Sequence, residues 1–104
     1  MFFNSIPSVS VTEAAQRLQQ PNTRLIDVRS AQEYQTGHAK GALSAPPESM
    51  DVHALKQYDA VYVLCRSGGR SSAVTKALIS QGVKAVNVSG GTMTWQANGL
   101  SMSR

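Results

Sequence analysis

What this chain lacks narrows it before any motif is read. It has one cysteine, Cys65, so it closes no internal disulfide, and one thiolate is too few for a thiolate metal cluster. A reducing, cytoplasmic setting is the expectation that follows. No apolar run approaches the ~20 residues that cross a bilayer, so no membrane span is expected. The opening residues, Met1-Phe2-Phe3-Asn4-Ser5-Ile6-Pro7, have neither a basic stretch nor a long apolar one and do not read as a signal peptide. Aromatic residues make up only 6%, and the ten Lys and Arg stand scattered against six Asp and Glu. A net charge of +4 without an aromatic-rich basic platform offers no nucleic-acid surface. It reads as a solvated basic face, with local attraction for small anions. There is no repeat, low-complexity tract or linker. A length of 104 residues suits one core, and residues 1–104 are read as a single domain. No exposed apolar run demands a second copy, so a monomer is expected.

What is present is a regular alternation of short strands and helices. Ser10-Val11-Thr12-Glu13 fits a capping box, and Val11, Ala14, Ala15 and Leu18 form one apolar helical stripe that ends at Pro21-Asn22. Leu25–Val28 reads as a buried strand. Ser30-Ala31-Gln32-Glu33 is a second capping box, opening a helix that stops by Gly37. His38–Leu43 is a turn into a short strand, Pro46-Pro47 closes it, and Met50–Tyr58 suits a surface helix. Ala60–Leu64 is a buried strand. A helix from near Ser71 follows, with Val74, Ala77, Leu78 and Gln81 on one side and Gly82 placed as its C′ cap. Ala85–Val88 is the last strand, and Gly90-Gly91 turns into a final helix carrying Trp95. Strands separated by helices make an α/β domain with a mainly parallel sheet. Ligands of such sheets gather at the carboxyl ends of the strands.

Cys65 sits at one of those ends, in Cys65-Arg66-Ser67-Gly68-Gly69-Arg70-Ser71. The glycines permit a tight turn, and the following helix points its N-terminus at the loop, so a thiolate and an anion are both favoured there. The arginine lies five residues after the cysteine, one short of the Cys-x5-Arg spacing of cysteine-dependent phosphatases, and this favours a cradle for something smaller than phosphate. Arg66 and Arg70 are candidates to hold an anionic substrate or to keep the thiolate ionised. Asp27 is expected to bond nearby backbone and Arg29 to pair with Glu33, four residues on. His38 is expected to staple its turn, His53 lies on a polar surface, and Trp95 is a core or pocket-lining aromatic.

Four strings in register resemble the single-domain rhodanese (thiosulfate sulfurtransferase) family. They are Leu25-Ile26-Asp27-Val28-Arg29 with Glu33-Tyr34, then Gly37-His38-Ala39-Lys40-Gly41-Ala42, then the loop Cys65 to Arg70, and last Gly90-Gly91 through Trp95 to Gly99-Leu100. Ser101 stands where a proline often follows in that family. The resemblance implies a three-layer α/β domain, its mainly parallel central sheet flanked by helices on both faces. It implies Cys65 as the nucleophile that takes the outer sulfur of thiosulfate as a persulfide. Arg66, Ser67, Gly68, Gly69, Arg70 and Ser71 would then form the substrate cradle, with no cofactor and no metal. Having no second cysteine, the chain would need an external acceptor, such as cyanide, a thiol or a protein. Two other readings stand beside this enzyme: a sulfur-relay or interaction module serving a partner protein, and a phosphatase or arsenate reductase, which the loop spacing disfavours.

Overall fold

A computed structural model describes residues 6–104; the opening stretch 1–5, read above as no part of a leader, lies outside them. Seven strands and five helices follow one another. They are β1 (Ser8–Val9), α1 (Val11–Arg17), β2 (Thr23–Asp27), α2 (Ala31–Thr36), β3 (His38–Ala39), β4 (Leu43–Ser44), α3 (Val52–Leu55), β5 (Ala60–Leu64), α4 (Gly69–Ser80), β6 (Ala85–Val88), α5 (Gly91–Ala97) and β7 (Met102–Ser103), with a 3-10 turn at Pro47–Ser49. Five strands form one parallel sheet in the order β1-β6-β5-β2-β4, and β3 pairs antiparallel with β7 beside it.

The central strand explains the layering. Side chains of a strand alternate between its faces. On β5, Val61 and Val63, followed by Cys65, pack with Ile26, Leu55, Leu78 and Ala85. Tyr62 and Leu64 point the other way, into a cluster with Val11, Ala14, Leu25, Val88 and Trp95. Thus α3 and α4 cover one face while α1 and α5 cover the other. This is the expected three-layer α/β arrangement, and burial on both faces accounts for the unbroken apolar run of β5.

Local chemistry fixes several boundaries. Ser30 caps α2 with both halves of its box: its hydroxyl accepts from the Glu33 N–H, and the Glu33 carboxylate accepts from the Ser30 N–H. At α1 only half of the expected box forms. Ser10 accepts from the Glu13 N–H, but the Glu13 carboxylate pairs with Arg17, one turn on. The C-terminus of α4 closes as a Schellman motif: Gly82 at φ +93° donates to Ile79 O at 3.1 Å, and Val83 donates to Leu78 O at 3.0 Å.

Two expectations need correction, and two short strands were not foreseen. The segment 50–58 is helical only over Val52–Leu55, where the Asp51 carboxylate caps the Ala54 N–H. Helix α4 begins at Gly69, and its buried face is Ser71, Thr75 and Leu78, with Ala77 and Gln81 exposed. Of its two hydroxyls, that of Ser71 meets Cys65 and Asn87, and Thr75 satisfies its own by donating to Ser71 O at 2.7 Å. Strands β1 and β7, two residues each, have no periodic signature in the sequence.

Candidate active site

The parallel register brings the carboxyl ends of β2, β5 and β6 side by side: Asp27 lies opposite Leu64, and Val63 opposite Asn87. Cys65 follows β5 directly, and the chain must then turn sharply into α4. Gly68 makes the turn at φ +110° in the left-handed region, where a side chain is strained. Gly69 has no positive φ and instead opens the helix, so only the first of the two glycines serves the turn.

Cys65 is 1% exposed. Burial alone would make an inert, un-ionised thiol. Its neighbours point the other way. Gly68 N–H donates to Sγ at 3.0 Å, and Ser71 Oγ lies 3.3 Å from Sγ. Burial is the largest single influence and pushes the thiol pKa up, but it is outweighed by hydrogen bonds from the Ser71 hydroxyl and from the N–H groups of Ser71, Gly68 and Ser67. The net result is a thiol held below its ordinary pKa, as a reactive cysteine requires.

The loop is held from above by α5. Thr92 donates both its N–H (2.7 Å) and its hydroxyl (2.9 Å) to Cys65 O, and Met93 N–H donates to Arg66 O at 3.1 Å. With these carbonyls tied to α5, the loop's N–H groups are left to face the sulfur. So close a contact is possible only because residue 91 is glycine. A Cβ there would stand 2.4 Å from Arg66 O and 2.6 Å from Ser67 N. The Gly90-Gly91 pair, read from sequence as a turn, is therefore part of the site.

The two arginines of the loop part company. Arg70 forms a two-pronged ion pair with Glu33 of α2, at 2.8 and 3.0 Å. Its pKa is raised chiefly by that pair, with a smaller contribution from Cys65. Arg66 makes no ion pair among the described residues. It lines a cleft of about 580 Å³ beside the loop, together with Thr92, Met93, Gln96, Met102 and Arg104.

The expected Arg29–Glu33 pair does not form, since Glu33 is taken by Arg70. Arg29 instead grips Asp27 through Nε and a terminal nitrogen at 2.8–3.0 Å, both residues being buried, and its guanidinium also donates to Gly37 O at 2.7 Å. Asp27 accepts the Arg29 N–H as well, at 3.0 Å, in the backbone role expected of it. Acid and base neutralise each other here and tie β2 to the end of α2. His38 stacks on Tyr34 with ring centroids 3.7 Å apart, its Nδ1 3.0 Å from Tyr34 O, and Tyr34 OH donates to Ala42 O at 2.6 Å. These contacts staple the turn, as expected. Trp95 is a core residue whose Nε1–H donates to Ser101 O at 3.0 Å.

Sequence reasoning also missed Asn87. It is buried on β6, on the same face as Val63 and Cys65, and its Oδ1 accepts from the Ser71 hydroxyl at 2.6 Å. The alternation Ala85-Val86-Asn87-Val88 was the available signal, because it sets a polar side chain on a covered face.

The Glu33–Arg70 pair has a pH signature. Chiefly through the Arg70 hydrogen bonds, and then through the Ser30 N–H, the Glu33 carboxyl is held at about 2. A carboxyl depressed in the folded chain adds stability that is complete above its unfolded pKa and is lost as the pH falls through the folded one. Arg70 and Glu33 side chains are 49% and 34% exposed, so screening keeps the gain below about 1 kcal/mol. Glu33→Gln should lower the urea midpoint slightly at pH 6, and that difference should vanish as the pH approaches 2.

Comparisons with known proteins bear on the family and the fold. The family model described as Rhodanese-like domain matches residues 10–98. A chloroplast protein of Arabidopsis thaliana named thiosulfate sulfurtransferase 16 is 34% identical, over 89% of this chain and 89% of that protein. A Bacillus subtilis protein named as a sulfur carrier is 31% identical over 88% of this chain, which spans about half (52%) of that relative's length. The solution NMR structure of a rhodanese-like domain from Anabaena superposes with a TM-score of 0.82 at 26% identity, over 95% of this chain and 80% of that one.

Proposed function

Because the chain belongs to the rhodanese-like domain family, we propose that it is a sulfurtransferase in which Cys65 carries sulfane sulfur as a persulfide. The observation that carries this reading is the position of Sγ, at the floor of a loop whose Gly68 N–H and Ser71 hydroxyl both approach it. In the first step the Cys65 thiolate attacks the outer sulfur of thiosulfate. A new Sγ–S bond forms, the S–S bond of thiosulfate breaks with its electron pair, and sulfite leaves. The persulfide anion keeps its charge on the terminal sulfur, facing preorganised N–H groups that need little reorientation. A nucleophilic acceptor then attacks that terminal sulfur, and the Sγ–S bond breaks to restore the thiolate. With cyanide as acceptor, thiocyanate is the product, and the cycle is ping-pong.

The residues divide the work. The N–H groups of Ser67, Gly68 and Ser71 support charge on the sulfur. Arg66, at the cleft and without an ion pair among the described residues, is suited to the sulfonate oxygens of the donor. Arg70 fixes the loop to α2 and lends its field to the thiolate. Gly69 starts the helix whose N-terminus faces the site. The slight exposure of Cys65 suits a donor that presents one protruding sulfur atom. The five-residue step from Cys65 to Arg70 and the single cysteine speak against the phosphatase and arsenate reductase readings.

A relay function has one specific point in its favour, the sulfur-carrier name of the Bacillus subtilis relative. Steady-state turnover separates the two. An autonomous enzyme gives thiocyanate from thiosulfate and cyanide with parallel double-reciprocal lines. A relay module gives feeble turnover but is loaded by a persulfidated donor protein. An absence of both would remove the proposal.

A further inference from the structure

Behind the cysteine runs a chain of polar groups, of which the reading above uses only Ser71. Ser71, fully buried, has one hydroxyl proton and three acceptors within reach: Asn87 Oδ1 at 2.6 Å, Gly68 O at 3.2 Å and Cys65 Sγ at 3.3 Å. Asn87 Nδ2 faces Ser8 Oγ at 3.5 Å, and Ser8 Oγ lies 2.7 Å from Ser89 Oγ at the exposed edge of the sheet.

When Cys65 is a thiol, this arrangement is satisfied as it stands. S–H donates to Ser71 Oγ, Ser71 donates to Asn87 Oδ1, and Asn87 donates to Ser8. When the thiol ionises its proton leaves to solvent, and the sulfur becomes an acceptor only. Ser71 must then turn its single proton onto the sulfur. Two oxygens 2.6 Å apart would be left facing each other with no hydrogen between them, a costly contact in a buried place. An amide resolves it. Rotating the Asn87 side-chain amide exchanges its oxygen and nitrogen at nearly the same positions. Nδ2–H then donates to Ser71 Oγ, and Oδ1 accepts from Ser8, whose hydroxyl serves as donor or acceptor.

We infer that Asn87 is a positioning residue: its amide directs the Ser71 hydroxyl proton, releasing it to the sulfur when Cys65 is a thiolate or a persulfide. It touches neither donor nor acceptor and acts only through Ser71. The charged groups around the loop leave this role open. Arg70 is engaged with Glu33 of α2, Asp27 at the end of β2 with Arg29, and Arg66 faces the cleft. From α5 the loop meets Thr92 and Met93, which carry no charge.

The inference rests on the reading of Cys65 as the working nucleophile, but its test needs no sulfur donor. The rate of Cys65 alkylation by iodoacetamide would be followed against pH in the wild type, Asn87→Ala, Ser71→Ala and the double variant. Without Asn87 the thiol form still has Gly68 O to accept the Ser71 proton, whereas the thiolate form loses the amide donor that completes Ser71 Oγ, so alkylation at neutral pH should slow about tenfold and its profile should move to higher pH. In the Ser71→Ala background, Asn87→Ala should add nothing. An unshifted profile for Asn87→Ala, or a shift that persists without Ser71, would overturn the inference. Should Asn87→Ala not fold, the Asn87 side-chain amide resonances decide. They should move with the Cys65 titration in the wild type and remain still in Ser71→Ala; still resonances in the wild type would contradict the role. Normal alkylation in a wild type that never takes up sulfur would sink the sulfurtransferase reading alone.

Discussion

Cys65→Ser is expected to remove thiocyanate formation from thiosulfate and cyanide, by more than ~1,000-fold, while leaving the fold intact. Serine is close to cysteine in size, and its oxygen meets the same partners, the Gly68 N–H and the Ser71 hydroxyl. A stability change within about 1 kcal/mol is therefore expected. The chemistry does not survive the change. An alkoxide is not available at neutral pH, and oxygen cannot hold and release sulfane sulfur as a persulfide does. Initial rates with matched thermal melts check both halves. Retained turnover in a folded Cys65→Ser protein would exclude the covalent route.

Gly91→Ala should be nearly as damaging, although residue 91 touches no substrate. The added methyl would press on Arg66 O, Arg66 C and Ser67 N at 2.4–2.6 Å, all of them backbone atoms with no side-chain freedom to yield. The residue would also be held at φ +65°, a conformation that favours glycine. Strain and overpacking together should cost about 2–4 kcal/mol of stability. The loop can relieve the clash only by moving away from α5, which breaks the Thr92 and Met93 hydrogen bonds to Cys65 O and Arg66 O. Ser67 and Gly68 N–H groups then lose their aim at the sulfur. Displacement of about 1 Å in such a site costs on the order of 100-fold in rate. Sulfur transfer should therefore fall by that factor even at temperatures where the variant is fully folded.

The parts of this molecule that were legible in the sequence are those written in neighbouring residues. The apolar run of β5, the Ser30 capping box, the glycine closing α4 and the loop from Cys65 to Ser71 each declare themselves within a few positions. The alternation of strands and helices then gave the layered parallel sheet. What escaped depends on partners far apart in the chain. The i,i+4 rule favoured Arg29 with Glu33, yet Arg70, 37 positions beyond Glu33, reaches the same carboxylate because the sheet sets the end of β5 beside the end of β2. With Glu33 engaged there, Arg29 turns back on Asp27. Ser71 and Asn87 meet across 16 positions because the sheet register, invisible in sequence, sets β6 next to β5. The apolar stripe expected of α4 held at Val74 and Leu78 but not at Ala77 and Gln81. Its inner face runs from Leu78 in the core to Ser71 beside Cys65, so hydroxyls share it with apolar side chains.

The central claim is that Cys65 carries sulfur, and the most direct measurement is the intact mass of the protein after exposure to a panel of donors: thiosulfate, 3-mercaptopyruvate and a persulfidated desulfurase. The wild type should gain the mass of one sulfur atom, map it to Cys65, and lose it on addition of cyanide, while Cys65→Ser gains none. A wild-type mass unchanged by every donor, or an added sulfur that cyanide does not remove, would contradict the account.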